Sequence, residues 1–293
     1  MLDFTNSFDY VDIGSLDLAK PNVRLCRINP DQAEQVLTKY NWHNRNPRFN
    51  RAAGYARDME NDRWVFNGAT ICFAIDPSDG KVFLADGQNR LKAQIMANVS
   101  MGYLVVTGLS DYSQMTMDRN TVRTAGDQAA LEGIPNSTRV MSIVNKVIKY
   151  DNGTLTNGGS LAPTVGELLE RYHKDSEGFD KAAQVANSRR ILSHPSVVGA
   201  AYYICLKIDS GDAEEFFVSQ YINGIELKRT DPAWLLRERV ERITAGAEDP
   251  NPWNIFRYMI LAWNHYRKGN QLTKLQQPRG GWDSEIGRSL KFL

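Results

Sequence analysis

The sequence predicts an α+β fold, in which a small domain with a mixed β-sheet is followed by a helical region. Residues 20–130 alternate apolar runs typical of strands with segments of helical periodicity. Beyond residue 136 the periodic segments are almost all helical. With 293 residues, 42% of them hydrophobic and 24% charged, the chain is long enough to bury a sizeable core.

A strand and two helices are predicted first. Residues 23–28 (VRLCRI) alternate between apolar and polar side chains, as a half-buried strand does. Asn29 and Pro30 then supply an N-cap and a proline at the first helical position. A second helix is predicted from Pro47 to Glu60, because apolar residues recur there at helical spacing.

The next elements are a hairpin, a helix and a last strand. The apolar runs ATICFAI and KVFLA are separated by DPSDG, whose Asp-Gly pair is typical of a hairpin turn. The stretch FLADGQNRLKA (residues 83–93) then runs from a strand through a polar turn into helix formers. GYLVVTGL (102–109) predicts the last strand.

Two apolar stripes characterise the helical region, and both are predicted to be buried. The first consists of Val140, Ile143, Val144, Val147 and Ile148, and the second of Trp253, Phe256, Ile260 and Trp263. Between them, residues 151–163 (DNGTLTNGGSLAP) are rich in glycine, asparagine and threonine, which predicts an exposed loop between helices.

The pattern divides the chain into three parts. Residues 1–19 form an N-terminal extension, 20–133 the α/β domain and 134–293 the helical domain. No apolar run reaches the roughly 18 residues of a membrane span, and the acidic N-terminus does not resemble a secretory signal. We therefore expect a cytoplasmic protein without a membrane partner, located in the host cytoplasm if it is phage-encoded.

Charge and composition restrict the candidate functions. The 35 basic and 34 acidic side chains give a formal charge of +1, so composition alone does not indicate nucleic-acid binding. The three cysteines lie far apart, which predicts structural thiols and argues against a disulfide framework. The four histidines lack metal-ligand spacing, and we expect no zinc site.

The polar turn Asp86-Gly87-Gln88-Asn89-Arg90 is the main candidate site. The first N–H groups of a helix lack intrahelical partners and, with the helix dipole, form an anion site. Gly87 permits close backbone approach, and Arg90 adds a planar charged fork for phosphate. Asp86 would repel phosphate unless a cation or a hydrogen-bond donor lies between them, and a magnesium-bridged nucleotide would suit it. In the alternative, which stays open, Asp86 caps the helix and Arg90 pairs with a surface carboxylate.

This strand-turn-helix motif resembles the Asp-Gly-Gln-His-Arg signature of the ParB/sulfiredoxin-like superfamily. The similarity covers residues 20–130 and includes an arginine-bearing helix, Trp64 before the hairpin, and the trailing segment 118–133. Residues 261–276 (LAWNHYRKGNQLTKLQ) also resemble the ending of phage and bacterial ParB-like proteins. The resemblance implies a ParB/sulfiredoxin-like domain with a phosphate-binding box at the polar turn.

Two departures from the superfamily limit what the resemblance implies. Asn89 stands where the signature has histidine, and the box contains no cysteine, so the sulfinic-acid reductase chemistry of sulfiredoxins is not implied. The box also differs from the Gly-Glu-Arg-Arg type of chromosome-partition proteins. Clamp closure driven by CTP is therefore not carried over either.

A second group of candidate site residues consists of Asp118, Arg123 and Asp127. Thr124, followed three residues later by Asp127, approximates a capping box that needs no ligand. The resembling proteins carry arginine at the position of Arg123, so the resemblance implies a second phosphate contact there. Both interpretations stay open.

Two other arginine groups are candidates for contacting nucleic acid. Glu238 and Glu241 interleave the second group, which favours a solvated, ion-paired face there. The groups are Arg48, Arg51 and Arg57, and Arg237, Arg239 and Arg242.

These observations predict a protein that binds the phosphate of a nucleotide or of a nucleic acid through residues 87–90 and Arg123. As an enzyme it would transfer phosphoryl groups or hydrolyse nucleotides, in phage DNA modification or defence. Arg90 would then stabilise phosphate charge, and Asp86 would hold Mg²⁺ with the nucleotide or act as a base. The alternatives are a non-catalytic DNA-binding or regulatory module and a ParB-like nuclease.

Overall fold

The protein is described by a computed structural model with an α+β fold and a helical C-terminal region, which confirms the predicted fold class. Two compact units are present: one contains residues 1–122 and 157–166, the other residues 123–156 and 167–293. The structure describes residues 9–44, 49–117, 123–155, 159–246, 251–282, 284 and 290–293.

The first unit is built on a mixed four-stranded sheet with the order β1-β4-β2-β3. The outer pairs β1–β4 and β2–β3 are antiparallel, and the central pair β2–β4 is parallel. The strands are β1 (Asn22–Ile28), β2 (Thr70–Ile75), β3 (Val82–Asp86) and β4 (Met101–Ser110). All four were predicted, because each is an apolar or alternating run bounded by turn residues.

The helices of the first unit are α1 (Pro30–Tyr40), α2 (Phe49–Glu60), α3 (Gln88–Ala97) and the single turn α4 (Ser113–Thr116), with short 3₁₀ turns at Ile13–Ser15, Asn41–His43 and Gly159–Leu161. The predicted cap of α1 is confirmed: Asn29 and Gln32 form a reciprocal capping box ahead of the first-turn proline. The predicted start of α2 at Pro47 and the candidate residue Arg48 lie outside the described residues.

The sheet has apolar residues on both faces. A larger core includes Ile28, Phe73, Leu84, Leu91 and Tyr103, all essentially inaccessible to solvent. A smaller cluster on alternate strand positions contains Cys72, Ala74, Phe83 and Ala85. The buried faces explain why β2 and β3 are nearly continuous apolar runs.

The described residues of the loop predicted at 151–163 are exposed or partly buried, and the second part of the loop packs on α2. Arg57 donates to the carbonyl oxygens of Ser160 at 2.5 Å and Ala162 at 2.8 Å. Thr164 donates to Asp58 at 2.7 Å. These bonds attach the segment to the first unit and engage Arg57, one of the arginines considered for nucleic-acid contact.

The second unit is helical. Its helices are α5 (Ala125–Leu131), α6 (Ser137–Asp151), α7 (Val165–His173), whose first two residues belong to the first unit, α8 (Ser176–Ala186), α9 (Pro195–Ile208), α10 (Ser210–Ala213), which continues into a π-helical segment (Glu214–Ile222), α11 (Pro232–Thr244) and α12 (Pro252–Arg267). No helix among the described residues is long and apolar enough to cross a membrane.

The two predicted apolar stripes lie in the core of the second unit. Phe256, Ile260 and Trp263 are buried, and Trp253 is partly buried against them. The indole Nε1 of Trp263 donates to the carbonyl oxygen of Leu293 at 2.7 Å, so this buried ring also has its polar atom satisfied. Of the stripe on α6, Val140, Ile143, Val144 and Val147 are buried in the same core, and Ile148 is partly buried against it.

The compact units divide between residues 122 and 123, whereas the sequence placed a domain boundary after residue 133. The difference arises at α5, which packs on α6: a Cβ added to Gly126 would lie 3.0 Å from the hydroxyl of Thr138. The domain boundaries of the sequence analysis, at residues 19/20 and 133/134, stay predictions.

Candidate functional site

The candidate site lies where β3 passes into α3. The strand ends at Asp86 and the helix begins at Gln88, as the sequence predicted, with Gly87 as the N-cap. Gly87 has a φ of 111° and no side chain with which to cap the helix. The first turn of α3 therefore presents its positive dipole end without an acidic or polar cap from the N-cap residue.

Gly87 is required here by packing and by its backbone conformation. A Cβ at this position would lie 2.5 Å from Cδ1 of Ile71 and 3.4 Å from its Cα, on the neighbouring strand β2. The positive φ is also one that other residues rarely adopt. The side of Gly87 on which a Cβ would stand is thus filled by β2, and a ligand cannot approach the turn from that side.

Asp86 and Arg90 contact each other. Arg90 Nη2 lies 2.5 Å from Asp86 Oδ2 and also donates to the carbonyl oxygen of Thr70 at 2.6 Å. The second carboxylate oxygen of Asp86 accepts a bond from the backbone N–H of Gly87 at 2.7 Å. Neither of the two alternatives drawn from the sequence included this internal pair, which holds the guanidinium against the strand end.

Two polar atoms of the same turn are buried without a partner among the described residues: Oε1 of Gln88 and Nε of Arg90. Only 8% of Gln88 is exposed. A buried donor or acceptor without a hydrogen bond costs about 1–3 kcal/mol, and native proteins rarely keep one. An acceptor for Arg90 and a donor for Gln88 are therefore missing from this turn.

Further unsatisfied atoms lie close by. Oε1 of Gln94, on α3, and the hydroxyl of Tyr103, on β4, are also buried and without a partner in the described part of the chain. Burial raises the pKa of Tyr103 far above its usual value, and the charge of Arg90 acts in the opposite direction. Three of the five such atoms in the described part of the chain are thus on α3 and one is on β4, and the fifth, the hydroxyl of Tyr221, is in the second unit.

Cys72 is a neighbour of the site that the sequence analysis did not find. It lies opposite Asp86 in the pairing of β2 with β3 and is 6% exposed. Burial raises the pKa of its thiol, a hydrogen bond with Thr70 lowers it, and the charges of Asp86 and Arg90 act in opposite directions. The net effect is a raised pKa, so Cys72 stays a protonated, poorly nucleophilic thiol.

The strand end that carries Asp86 is held by amide side chains that the sequence analysis also missed. Asn44 donates to the carbonyl oxygen of Leu84 at 2.5 Å. Gln114 donates to Oδ1 of Asn44 at 3.1 Å and to the carbonyl oxygen of Ala85 at 3.3 Å. Because β3 is the edge strand, these bonds satisfy carbonyl groups that no further strand covers.

The other two predicted phosphate contacts, Asn89 and Arg123, lie in different units. Asn89 is partly buried on the first turn of α3. Arg123 is exposed and belongs to the second unit, and Asp118 lies outside the described residues. Thr124 and Asp127 do form the predicted reciprocal capping box of α5. The assignment of Arg123 as a phosphate contact stays a prediction.

Asp86 was also predicted to hold Mg²⁺. Both of its oxygens accept hydrogen bonds, from Gly87 and from Arg90. Among the described residues, no group of three or more metal-ligating side chains is present. An ion bound to Asp86 would have to displace Arg90 from its carboxylate, and the assignment of Mg²⁺ to Asp86 stays a prediction.

Comparisons of the chain with protein-family models, with curated proteins and with solved structures find no match. The resemblance to the ParB/sulfiredoxin-like superfamily accordingly stays a prediction. A function for the chain has to be argued from the geometry at the start of α3.

Proposed function

We propose that this protein binds the phosphate group of a nucleotide or of a nucleic acid at the start of α3. The observation that supports the proposal is the pair of buried, unsatisfied atoms in one turn, Nε of Arg90 and Oε1 of Gln88. The turn also carries the positive end of the α3 dipole, without a side-chain cap from Gly87.

A phosphate-bearing ligand supplies what the two atoms lack. Once the Arg90 side chain turns enough to expose its buried Nε, a phosphate oxygen accepts from that atom in a charge-assisted bond. A hydroxyl, from a protonated phosphate or from a sugar, donates to Oε1 of Gln88. The start of the helix adds a favourable potential for the negative charge. A purely apolar ligand would satisfy neither atom.

Asp86 acts on Arg90 in this proposal. In the free protein its carboxylate neutralises and orients the guanidinium at 2.5 Å. When phosphate binds, the same carboxylate repels it unless Arg90 lies between them, so the pair sets both the geometry and the strength of binding. Asp86 is also the residue that would serve as a base if the bound phosphate ester reacted. We place binding ahead of turnover because the described residues around this turn offer no second group beside Asp86 for acid–base catalysis.

A binding screen tests the proposal. Calorimetry would measure the four nucleoside triphosphates and short single- and double-stranded DNA, with and without Mg²⁺, followed by product analysis for any ligand that binds. Arg90→Ala should weaken binding roughly 10- to 100-fold, as expected for a lost charge-assisted hydrogen bond. Lys92→Ala, which removes an exposed charge from the same helix, should change affinity less than about threefold.

Gln88→Met is a sharper variant. It keeps the length of the side chain and removes the unsatisfied oxygen, so the free protein should be as stable as the wild type or more stable. Ligand affinity should fall. Equal affinity in wild type, Arg90→Ala and Gln88→Met, with circular dichroism showing intact folds, would refute the proposed site. Product formation that is lost with Asp86→Asn would favour the enzyme, and salt-dependent DNA binding without turnover would favour the non-catalytic module.

A further inference from the structure

The second unit contains a polar cavity at the start of α6. Its volume is about 490 Å³, within the usual range for small-molecule sites. The described residues that line it are all polar, and none of them is acidic: Asn136, Ser137, Thr138, Arg139, Ser142 and Asn187. A cavity with hydroxyl, amide and guanidinium groups and no carboxylate favours an anion.

A second cation stands beside this cavity. The ammonium group of Lys146 lies 3.1 Å from the hydroxyl of Ser142, which lines the cavity, and 3.4 Å from the carbonyl oxygen of the same residue. Neither Lys146 nor Arg139 forms an ion pair with a carboxylate in the part of the chain that the structure describes. Two positive charges at one cavity are thus left uncompensated.

The surroundings keep these charges uncompensated. Burial, and after it the charges of Lys149 and Arg139, lower the pKa of Lys146 to about 8. His194, immediately before α9, has its pKa lowered by burial and then by the charge of Lys146. An anion in the cavity would relieve this repulsion.

The start of α6 adds to the same potential. The 15-residue helix begins after Asn136, whose φ is 52° and whose side chain makes no capping hydrogen bond. The first-turn amides of α6 are on Ser137, Thr138 and Arg139, and all three residues line the cavity. Backbone donors, hydroxyls and two cations therefore converge on one space.

We propose that this cavity binds a phosphomonoester dianion, through Arg139, Ser142 and Lys146. The two uncompensated cations match the two negative charges of a terminal phosphate. A phosphodiester carries one charge and would leave one cation unbalanced. This site lies in the second unit and is independent of the turn at Arg90.

Inorganic phosphate is the probe for this site, with the full chain titrated by calorimetry at neutral pH. Arg139→Ala, which alters a partly exposed residue, should weaken phosphate binding at least tenfold, and Lys146→Met should do the same. Lys174→Ala removes a charge already paired with Glu170 at 2.8 Å and should leave affinity unchanged. Dimethyl phosphate should bind at least tenfold more weakly than phosphate.

The outcomes separate this site from the one at α3. Arg90→Ala should leave the binding that depends on Arg139 intact, and Arg139→Ala should leave the binding that depends on Arg90 intact. The inference is overturned if wild-type protein binds no phosphate at about 10 mM, if folded Arg139→Ala binds phosphate as well as wild type, or if dimethyl phosphate binds equally.

Discussion

Arg90 Nη2 lies 2.5 Å from Asp86 Oδ2, four residues earlier, so the last residue of β3 and the first turn of α3 are joined by a charged pair. The side chains are 18% and 24% exposed, which makes this pair more protected from water than a surface salt bridge. The same nitrogen also bonds the carbonyl oxygen of Thr70 on β2. One guanidinium thus links two strands and a helix.

This linkage predicts coupling between the two residues. Asp86→Ala and Arg90→Ala should each destabilise the protein, and the double variant should lose less than the sum, with a coupling free energy of about 1–3 kcal/mol. Urea denaturation of the four proteins measures it. Additive losses would show that the pair contributes nothing to the fold.

Gly87→Ala should destabilise the protein by about 2–4 kcal/mol, because it combines a strained positive φ with a clash against Ile71. Gly80→Ala is the matched control: Gly80 also has a positive φ, 68°, but no heavy atom lies within 4 Å of its Cβ position. Gly80→Ala should lose roughly 1 kcal/mol.

The clash itself can be relieved. The atom nearest the added Cβ is Cδ1 of Ile71, which Ile71→Val removes. The variant Gly87→Ala/Ile71→Val should therefore be more stable than the sum of its single changes indicates. Thermal or urea unfolding measures the loss of stability in each variant. If Gly87→Ala and Gly80→Ala lose the same free energy of unfolding, the packing of Gly87 on β2 is not what requires glycine.

Trp263→Ala should cost about 3–5 kcal/mol, since the ring is fully buried and its Nε1 donates to Leu293. Trp234, 38% exposed on α11, provides the control, and Trp234→Ala should cost less than about 1 kcal/mol. Urea unfolding compares them. A loss below roughly 0.5 kcal/mol for Trp263→Ala would mean that the stripe is not the core of the second unit.

Lys146 should make stability depend on pH. Its pKa in the folded protein, about 8, lies below the ordinary value of 10.5, so the folded state binds this proton less tightly than the unfolded chain does. Below pH 8 Lys146 is charged in both the folded and the unfolded state. The folded state is then destabilised by the full free energy of burying this charge. Above pH 10.5 neither state carries it, so this cost disappears as the pH rises from about 8 to 10.5.

Lys146→Met removes the cost at every pH. At pH 7 the variant should be more stable than wild type by an amount on the order of 1–3 kcal/mol, and the difference should shrink toward pH 10. The same variant should lose phosphate binding at the α6 cavity. Arg139, Lys149 and His194 are the other charged or titratable groups that act on or sense Lys146. Urea denaturation curves of both proteins at several pH values measure the difference in their free energies of unfolding. A difference that does not change with pH would contradict this explanation.

Local signals in the sequence were sufficient for the strands and for the helices α1 to α3, and in the second unit they marked the stripes on α6 and α12. β1 to β4 are each marked by alternation or an apolar run, and Asn29 with Pro30 marks the start of α1. The parallel pairing of β2 with β4 has no local signal, because it joins residues far apart in the chain. The hydrogen bonds from Arg57 to Ser160 and Ala162 could not be predicted either, because these residues are also far apart in the chain.

Some features of the candidate site could also be predicted from local sequence, whereas others depend on contacts between distant residues. The strand, the turn at Gly87 and the helix start could be read from residues 83–93. The four-residue spacing of Asp86 and Arg90 was a usable signal for their pairing, which the sequence analysis did not apply. The positions of Cys72 and Ile71 follow only from the register of β2 against β3 and from the packing of Gly87, which the sequence does not specify locally.

The central claim is that a phosphate-bearing ligand occupies the first turn of α3, and nuclear magnetic resonance of the ¹⁵N-labelled full chain tests it most directly. Titration with the tightest ligand of the screen should shift the backbone amides of Gln88 and Asn89 and the Nε–H of Arg90, and the Nε–H should become protected from exchange with water. In Gln88→Met the same shifts should be smaller at a ligand concentration that half-saturates the wild type, because the variant binds more weakly. A saturating ligand that leaves these three resonances unmoved and shifts resonances only elsewhere would contradict the account.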